Sequence, residues 1–243
     1  MPAGGPGTVG GVGAVVVAAG QGHRFGGSRP KQFVDLCGMP VLAWSVRALL
    51  DHPEVDRVVL VLSPMWAASP PAWLPEEVLV VPGGVFRADS VRAGVAALAG
   101  TVETVLVHDG ARPFVSAGLI SRVVDRARGG PVVPVIAVED TVKRVDEGGW
   151  IEETVPREPL RRVQTPQGFP ADVLIRTHAV GDAGAWEAQD AAAMTDDALL
   201  CERLGLDVAT VEGDPVNLKV TTARDLKLAR ALVETGLIAA GKQ

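Results

Sequence analysis

Residues 15 to 32 read Val15-Val16-Val17-Ala18-Ala19-Gly20-Gln21-Gly22-His23-Arg24-Phe25-Gly26-Gly27-Ser28-Arg29-Pro30-Lys31-Gln32. An apolar run, 12 to 19, enters a glycine-rich loop, and no Asp, Glu, Lys or Arg precedes Arg24. Three cations, Arg24, Arg29 and Lys31, then follow close together. The apolar run reads as a buried strand. Small residues after it let backbone N–H groups approach an anion, and the cations neutralise that anion. A polyphosphate is the natural guest. The loop is not a Walker A motif, because Ser28 stands where that motif has its lysine. Nor is it a dinucleotide fingerprint, because Phe25 occupies the place of the third glycine.

Outward from this stretch, short Val-rich runs alternate with amphipathic segments. The runs 55–62, 78–81, 104–108 and 132–138 read as further buried strands. The segments 40–50, 88–99 and 117–127 carry apolar residues at helical spacing, Leu42, Val46 and Leu49 being one such face. This alternation predicts an α/β fold with a mainly parallel sheet, whose ligands bind beyond the carboxyl ends of the strands. One segment interrupts it. Residues 140–155 are two polar, β-rich stretches around Glu147-Gly148-Gly149, a hairpin turn signal with an isolated Trp150. Such a hairpin has little with which to build a core, so it is expected to project as an arm and pack on a second subunit. Helices are expected at 170–180, 196–204 and 223–234, and strands at 207–212 and 218–220. Residues 1–11 read as a flexible tail and 12–243 as one domain, with the arm at about 139–163.

The chain has 243 residues, 47% of them hydrophobic and 21% charged, with a net charge of −6. That balance suits a globular domain and argues against a general nucleic-acid binder. No apolar run reaches the roughly 18 residues of a membrane helix, and no basic segment opens the chain, so a cytoplasmic protein is expected. Cys37 and Cys201 are too few for a disulfide framework and read as small buried hydrophobes.

A second motif is Val105-Leu106-Val107-His108-Asp109-Gly110-Ala111-Arg112-Pro113. A buried strand delivers Asp109 at its carboxyl end, where a Mg²⁺ bridging phosphates would need a hard oxygen ligand. Lysine is scarce, with five against 18 arginines, yet Lys31 sits in the loop and Lys219 in the run 216–220. A lysine offers a compact charge to phosphate.

These motifs occur in order with G-G…R-A-D-S-V, D-T-V-K, T-P-Q-G-F, T-D-D and N-L-K-V. The set resembles the 2-C-methyl-D-erythritol 4-phosphate cytidylyltransferases, over roughly residues 15 to 232. The resemblance implies a Rossmann-like nucleotidyltransferase fold with a β-arm interlocking a homodimer. It implies transfer of CMP from CTP, with Mg²⁺, to the sugar phosphate. Ala18, Ala19, Gly20, Gly22 and Lys31 would hold the triphosphate, and Gly84 and Ser90 the cytosine end. Arg24 and Lys31 would stabilise the transition state. Asp109 would bind the metal and touch the substrate, with Arg112 close by, and Thr141, Thr165 and Lys219 would bind the substrate. Arg157 and Lys219 would orient the attacking phosphate, Arg157 from the neighbouring subunit. Val85 stands where the family has an acid. Ribitol 5-phosphate cytidylyltransferases share much of the set. A catalytically silent nucleotide-binding subunit is the other alternative, against which Arg24, Lys31 and Asp109 are all present.

Overall fold

Alternating faces organise the central strands. Ala14, Val16 and Ala18 pack on one side with Leu60, Leu62, Leu106, Leu42 and Val123. Val15 packs on the other with Val59, Val61, Val105, Val107 and Leu174. Side chains of a strand alternate with a period of two, so a run apolar on both faces needs helices on both. The computed structural model describes residues 10–20, 30–180 and 196–238.

In chain order the elements are β1 (Val12–Ala18), a 3-10 turn (Lys31–Phe33), β2 (Asp35–Leu36), β3 (Met39–Pro40), α1 (Val41–Leu50), β4 (Arg57–Leu62), α2 (Pro64–Ala68) and β5 (Leu79–Pro82). Then come α3 (Arg87–Leu98), β6 (Thr104–Asp109), α4 (Ala117–Ala127), β7 (Val132–Ala137), β8 (Val142–Val145) and β9 (Ile151–Val155). The chain continues with β10 (Arg161–Val163), β11 (Gln167–Pro170), α5 (Ala171–Val180), α6 (Ala198–Arg203), β12 (Ala209–Glu212) and α7 (Ala223–Glu234).

Eight strands form the main sheet in the order β10-β7-β11-β6-β1-β4-β5, with β12 paired to β7. The pairs β6–β1, β1–β4, β4–β5 and β7–β12 are parallel, while β10 and β11 run antiparallel to their neighbours. The sheet is therefore mainly parallel, as expected. Chain order reverses about β1, with β4 on one side and β6 on the other, which opens a crevice beyond Ala18 and Asp109. Close packing holds α3 against this centre: a Cβ on Gly94 would lie 2.4 Å from Val15. A third cluster, Leu36, Trp44, Phe114, Val220, Leu226 and Ala229, seats α7.

The hairpin is present: β8 and β9 pair antiparallel, from Val142 opposite Val155 to Val145 opposite Ile151. Its side chains are mostly exposed, Trp150 at 77%. The expected strand at 218–220 does not form. Val220 N–H is spent on Ala111 O and Leu218 N–H on Val216 O, so no ladder develops. Cys37 is exposed rather than buried, because it turns the β2–β3 hairpin with φ +52 beside Gly38 at φ +90. Cys201 is buried as expected. Of the expected tail, residues 1–9 lie outside the described residues, and Gly11 already accepts hydrogen bonds from Glu103 and Thr104.

Candidate active site

The crevice holds a cleft of about 240 Å³. Ala18, Ala19 and Gly20 end β1 on one wall, with Lys31 on the turn that follows. Gln32, to which no role was assigned from sequence, fixes this corner by donating to Ala18 O at 2.8 Å and Gly20 O at 3.1 Å. Gly84, Val85, Arg87 and Ser90 form the opposite wall at the start of α3. Gly84 is required there, since a Cβ would come within 2.3 Å of Asp89. Asp89 itself caps the helix by accepting the Phe86 N–H at 3.0 Å. Ser90 Oγ donates to Phe86 O at 3.2 Å, and Val85 stands at the rim, 89% exposed.

Asp109 closes the floor, 14% exposed, with Lys219 Nζ at 2.8 Å, Arg112 Nε at 3.6 Å and Arg87 Nε at 4.0 Å. Burial by itself would raise its pKa, but Lys219, then Arg87 and Arg112, hold it well below the usual carboxylate range. Three cations face one carboxylate, so the cleft is poised for anions. Lys219 reaches it from an irregular segment: Asn217 Nδ2 donates to Thr165 O, and Arg112 Nη1 to Asn217 O, both at 2.8 Å.

Behind Asp109 lies a buried relay. His108 is fully buried, and burial first of all pushes its pKa down to about 4, so the ring is neutral. Its Nε2 faces Arg112 O at 3.1 Å, which fixes Nε2–H as the donor and leaves Nδ1 to accept from Thr165 Oγ1 at 3.1 Å. Thr165 Oγ1 in turn accepts the Asp109 N–H at 3.1 Å. The Thr165 proton is thus committed, and only an oxygen lone pair remains for a guest.

The structure brings Ala18, Ala19, Gly20, Lys31, Gly84, Ser90, Asp109 and Lys219 to one cleft, with Arg112 and Thr165 directly behind. Thr141 and Arg157 stand apart at the base of the hairpin, both exposed, with Arg157 Nη1 bonded to Glu139 O. Gly22 and Arg24 lie outside the described residues. Sequence reasoning gave no role to Arg87 or to Asp197, which is fully buried and accepts from Arg87 Nη1 at 2.7 Å. Their pairing joins the R-A-D-S and T-D-D motifs across 110 residues, with no local spacing to reveal it.

Comparison with known proteins agrees with this geometry. Residues 12–235 match the family model for 2-C-methyl-D-erythritol 4-phosphate cytidylyltransferase. The chain is similar to a protein of that name from Rhodococcus jostii, 49% identical over 225 residues, covering 92% of this chain and 95% of that one. One from Nocardia farcinica is 46% identical over 229 residues, covering 93% and 95%. The fold is similar to the crystal structure of the Thermus thermophilus cytidylyltransferase, with a TM-score of 0.75 and 37% identity over 90% of this chain and 98% of that one. With the family model running from β1 through α7 and relatives close to half identical along that length, this chain belongs to the 2-C-methyl-D-erythritol 4-phosphate cytidylyltransferase family.

Proposed function

We infer that the protein transfers CMP from CTP to 2-C-methyl-D-erythritol 4-phosphate, giving 4-diphosphocytidyl-2-C-methyl-D-erythritol and pyrophosphate. The observation that carries this reading is the cluster of Lys219, Arg112 and Arg87 around Asp109 at the carboxyl end of the sheet. Two anions must meet for this reaction, and an acidic protein can hold them only where its cations are gathered. The attacking group is the substrate's own phosphate, largely ionised near neutral pH because its second pKa is about 6. No protein base is required, and His108, already spent on Arg112 and Thr165, is not placed to be one.

The triphosphate lies along Ala18, Ala19, Gly20, Gly22 and Lys31, with the cytosine toward Gly84 and Ser90. Arg24 and Lys31 stabilise charge developing at the α-phosphorus and on the leaving pyrophosphate. Lys219 and Arg157 align the sugar phosphate, and Arg112, Thr141 and Thr165 complete its pocket. Among the described residues no three acidic, His or Cys side chains converge on a metal position. Mg²⁺ needs only one or two carboxylates when phosphates complete its shell, so Asp109 with the triphosphate fits it. When bound, the ion draws charge from the phosphate oxygens.

The hairpin, with Val145, Trp150 and Ile151 exposed on it, is the arm of a homodimer and carries Arg157 to a second copy. Among the described residues no helix is long and apolar enough to cross a membrane. Both cysteines are free thiols, which suits a reducing cytoplasm. The reaction is tested by pyrophosphate release with CTP and Mg²⁺, offering methylerythritol phosphate or ribitol 5-phosphate. Release with the first alone is expected. Release with ribitol phosphate alone would replace the substrate, and release with neither would leave a silent nucleotide-binding subunit.

A further inference from the structure

We propose that Arg87 is a further cation contacting the bound nucleotide, and that Asp197 is the positioning residue that holds its guanidinium toward the cleft. The proposal rests on the nucleotidyltransferase reading above.

Arg87 is the first residue of α3 and lines the cleft beside Gly84 and Ser90. Its side chain is 23% exposed, so it can be reached from the cleft. A guanidinium has five N–H donors in a fixed fork. Among the described residues Asp197 Oδ2, 2.7 Å from Nη1, is the hydrogen-bond partner of this one. Asp109 lies 4.0 Å from Nε, an electrostatic neighbour beyond hydrogen-bond reach. Among the described residues the remaining donors have no hydrogen-bond partner, and they suit a phosphate, a sugar hydroxyl or a base carbonyl.

Asp197 cannot touch that guest, because it is fully buried. It is held on every side. His178 Nε2 lies 3.2 Å from Oδ1, and Gln167 Oε1 accepts the N–H groups of Asp197 and Ala198 at 3.1 and 3.3 Å. Gln167 belongs to β11, which pairs with β6, the strand that ends in Asp109. The brace and the floor of the cleft are thus built on adjacent strands. A carboxylate buried so deeply anchors the Nη1 end of the guanidinium through a charge-assisted hydrogen bond. A purely structural ion pair has no need of a partner that faces the cleft.

The test is calorimetric titration of CTP with Mg²⁺ into the full chain, its Asp197→Asn and Arg87→Ala variants, and the double variant. Each single change should weaken CTP binding about tenfold or more, the range for losing hydrogen bonds to a charged group. The double variant should bind no more weakly than Arg87→Ala, because Asp197 acts through Arg87. KM for the sugar phosphate should stay within about twofold. Unchanged CTP affinity in Asp197→Asn, or losses that simply multiply in the double variant, would overturn the proposal. Arg87→Ala leaves a buried carboxylate unpaired; if it does not fold, Arg87→Lys keeps the charge and replaces it in the same comparison. An unaltered chain that binds no CTP would refute the functional reading itself, an outcome distinct from either of these.

Discussion

Replacing Thr165 by Val tests the relay behind Asp109. The two side chains have similar volume, so the substitution removes the hydroxyl with little change of shape. Two partners lose their hydrogen bonds: the Asp109 N–H and His108 Nδ1, each 3.1 Å from Oγ1. His108 cannot switch tautomer to adapt, because its Nε2–H is needed by Arg112 O. Thr165 is 5% exposed and His108 is fully buried, so water does not readily replace the lost contacts. An orphaned buried polar group costs about 1–3 kcal/mol, so the pair should cost about 2–6 kcal/mol. For a chain of this size that is a fall in Tm of roughly 4–24 °C. Thr165→Ser keeps the hydroxyl and should lose only about 1 kcal/mol, for its missing methyl. Urea unfolding of both variants, without nucleotide, separates this structural effect from any contact with substrate. A Val variant within about 0.5 kcal/mol of the Ser variant would refute the relay, since that is the ordinary scatter of a neutral substitution.

The same relay predicts acid sensitivity. His108 has its pKa lowered by burial from 6.5 to about 4, so the unfolded chain binds its proton first and stability falls as pH drops from 6.5 toward 4. His108→Gln should flatten that part of the urea midpoint profile; an unchanged slope would remove His108 as its source. Lys219→Met breaks the 2.8 Å pair with Asp109 and should lower kcat by about 10²-fold or more, the scale of losing a charge-stabilising donor, with the fold retained by circular dichroism. Near-normal turnover would exclude Lys219 from the reaction. Deletion of residues 142 to 154 should yield monomers in sedimentation velocity, and persistent dimers would move the interface elsewhere.

Much of the sheet was legible because its central strands are apolar on both faces, a pattern that few other settings produce. Strands β1, β4, β5, β6 and β7 were readable in this way, as were the helices packed between them. The strand β11 was not. From sequence, Gln167-Gly168-Phe169 is assigned no element and Pro170 is placed in the following helix, yet all four pair with β6. Conversely, 218–220 has strand-like residues, but the Leu218 and Val220 N–H groups bond Val216 O and Ala111 O instead of a ladder. The cleft was legible at Asp109, Lys31 and Lys219, where cations and an acid follow apolar runs. The Arg87–Asp197 pair was not, since its members meet only after α6 is laid against α3's side of the sheet. Cys37 misled because composition describes the average cysteine, whereas this one sits at a tight turn.

The hairpin arm leaves the sheet after Ala137 and comes back at Arg161, and these two residues are direct partners in the β7–β10 ladder. Departure and return are therefore already neighbours before any residue of the arm is ordered. Lengthening such an excursion adds only a logarithmic loop-closure cost, about 0.6 kcal/mol per doubling. The arm is accordingly a segment whose length and sequence can diverge, by insertion or replacement, while the nucleotide-binding sheet beneath it keeps its register. Changes at the tip of the hairpin therefore leave the pairing of Ala137 with Arg161, and the sheet that carries the cleft, in place.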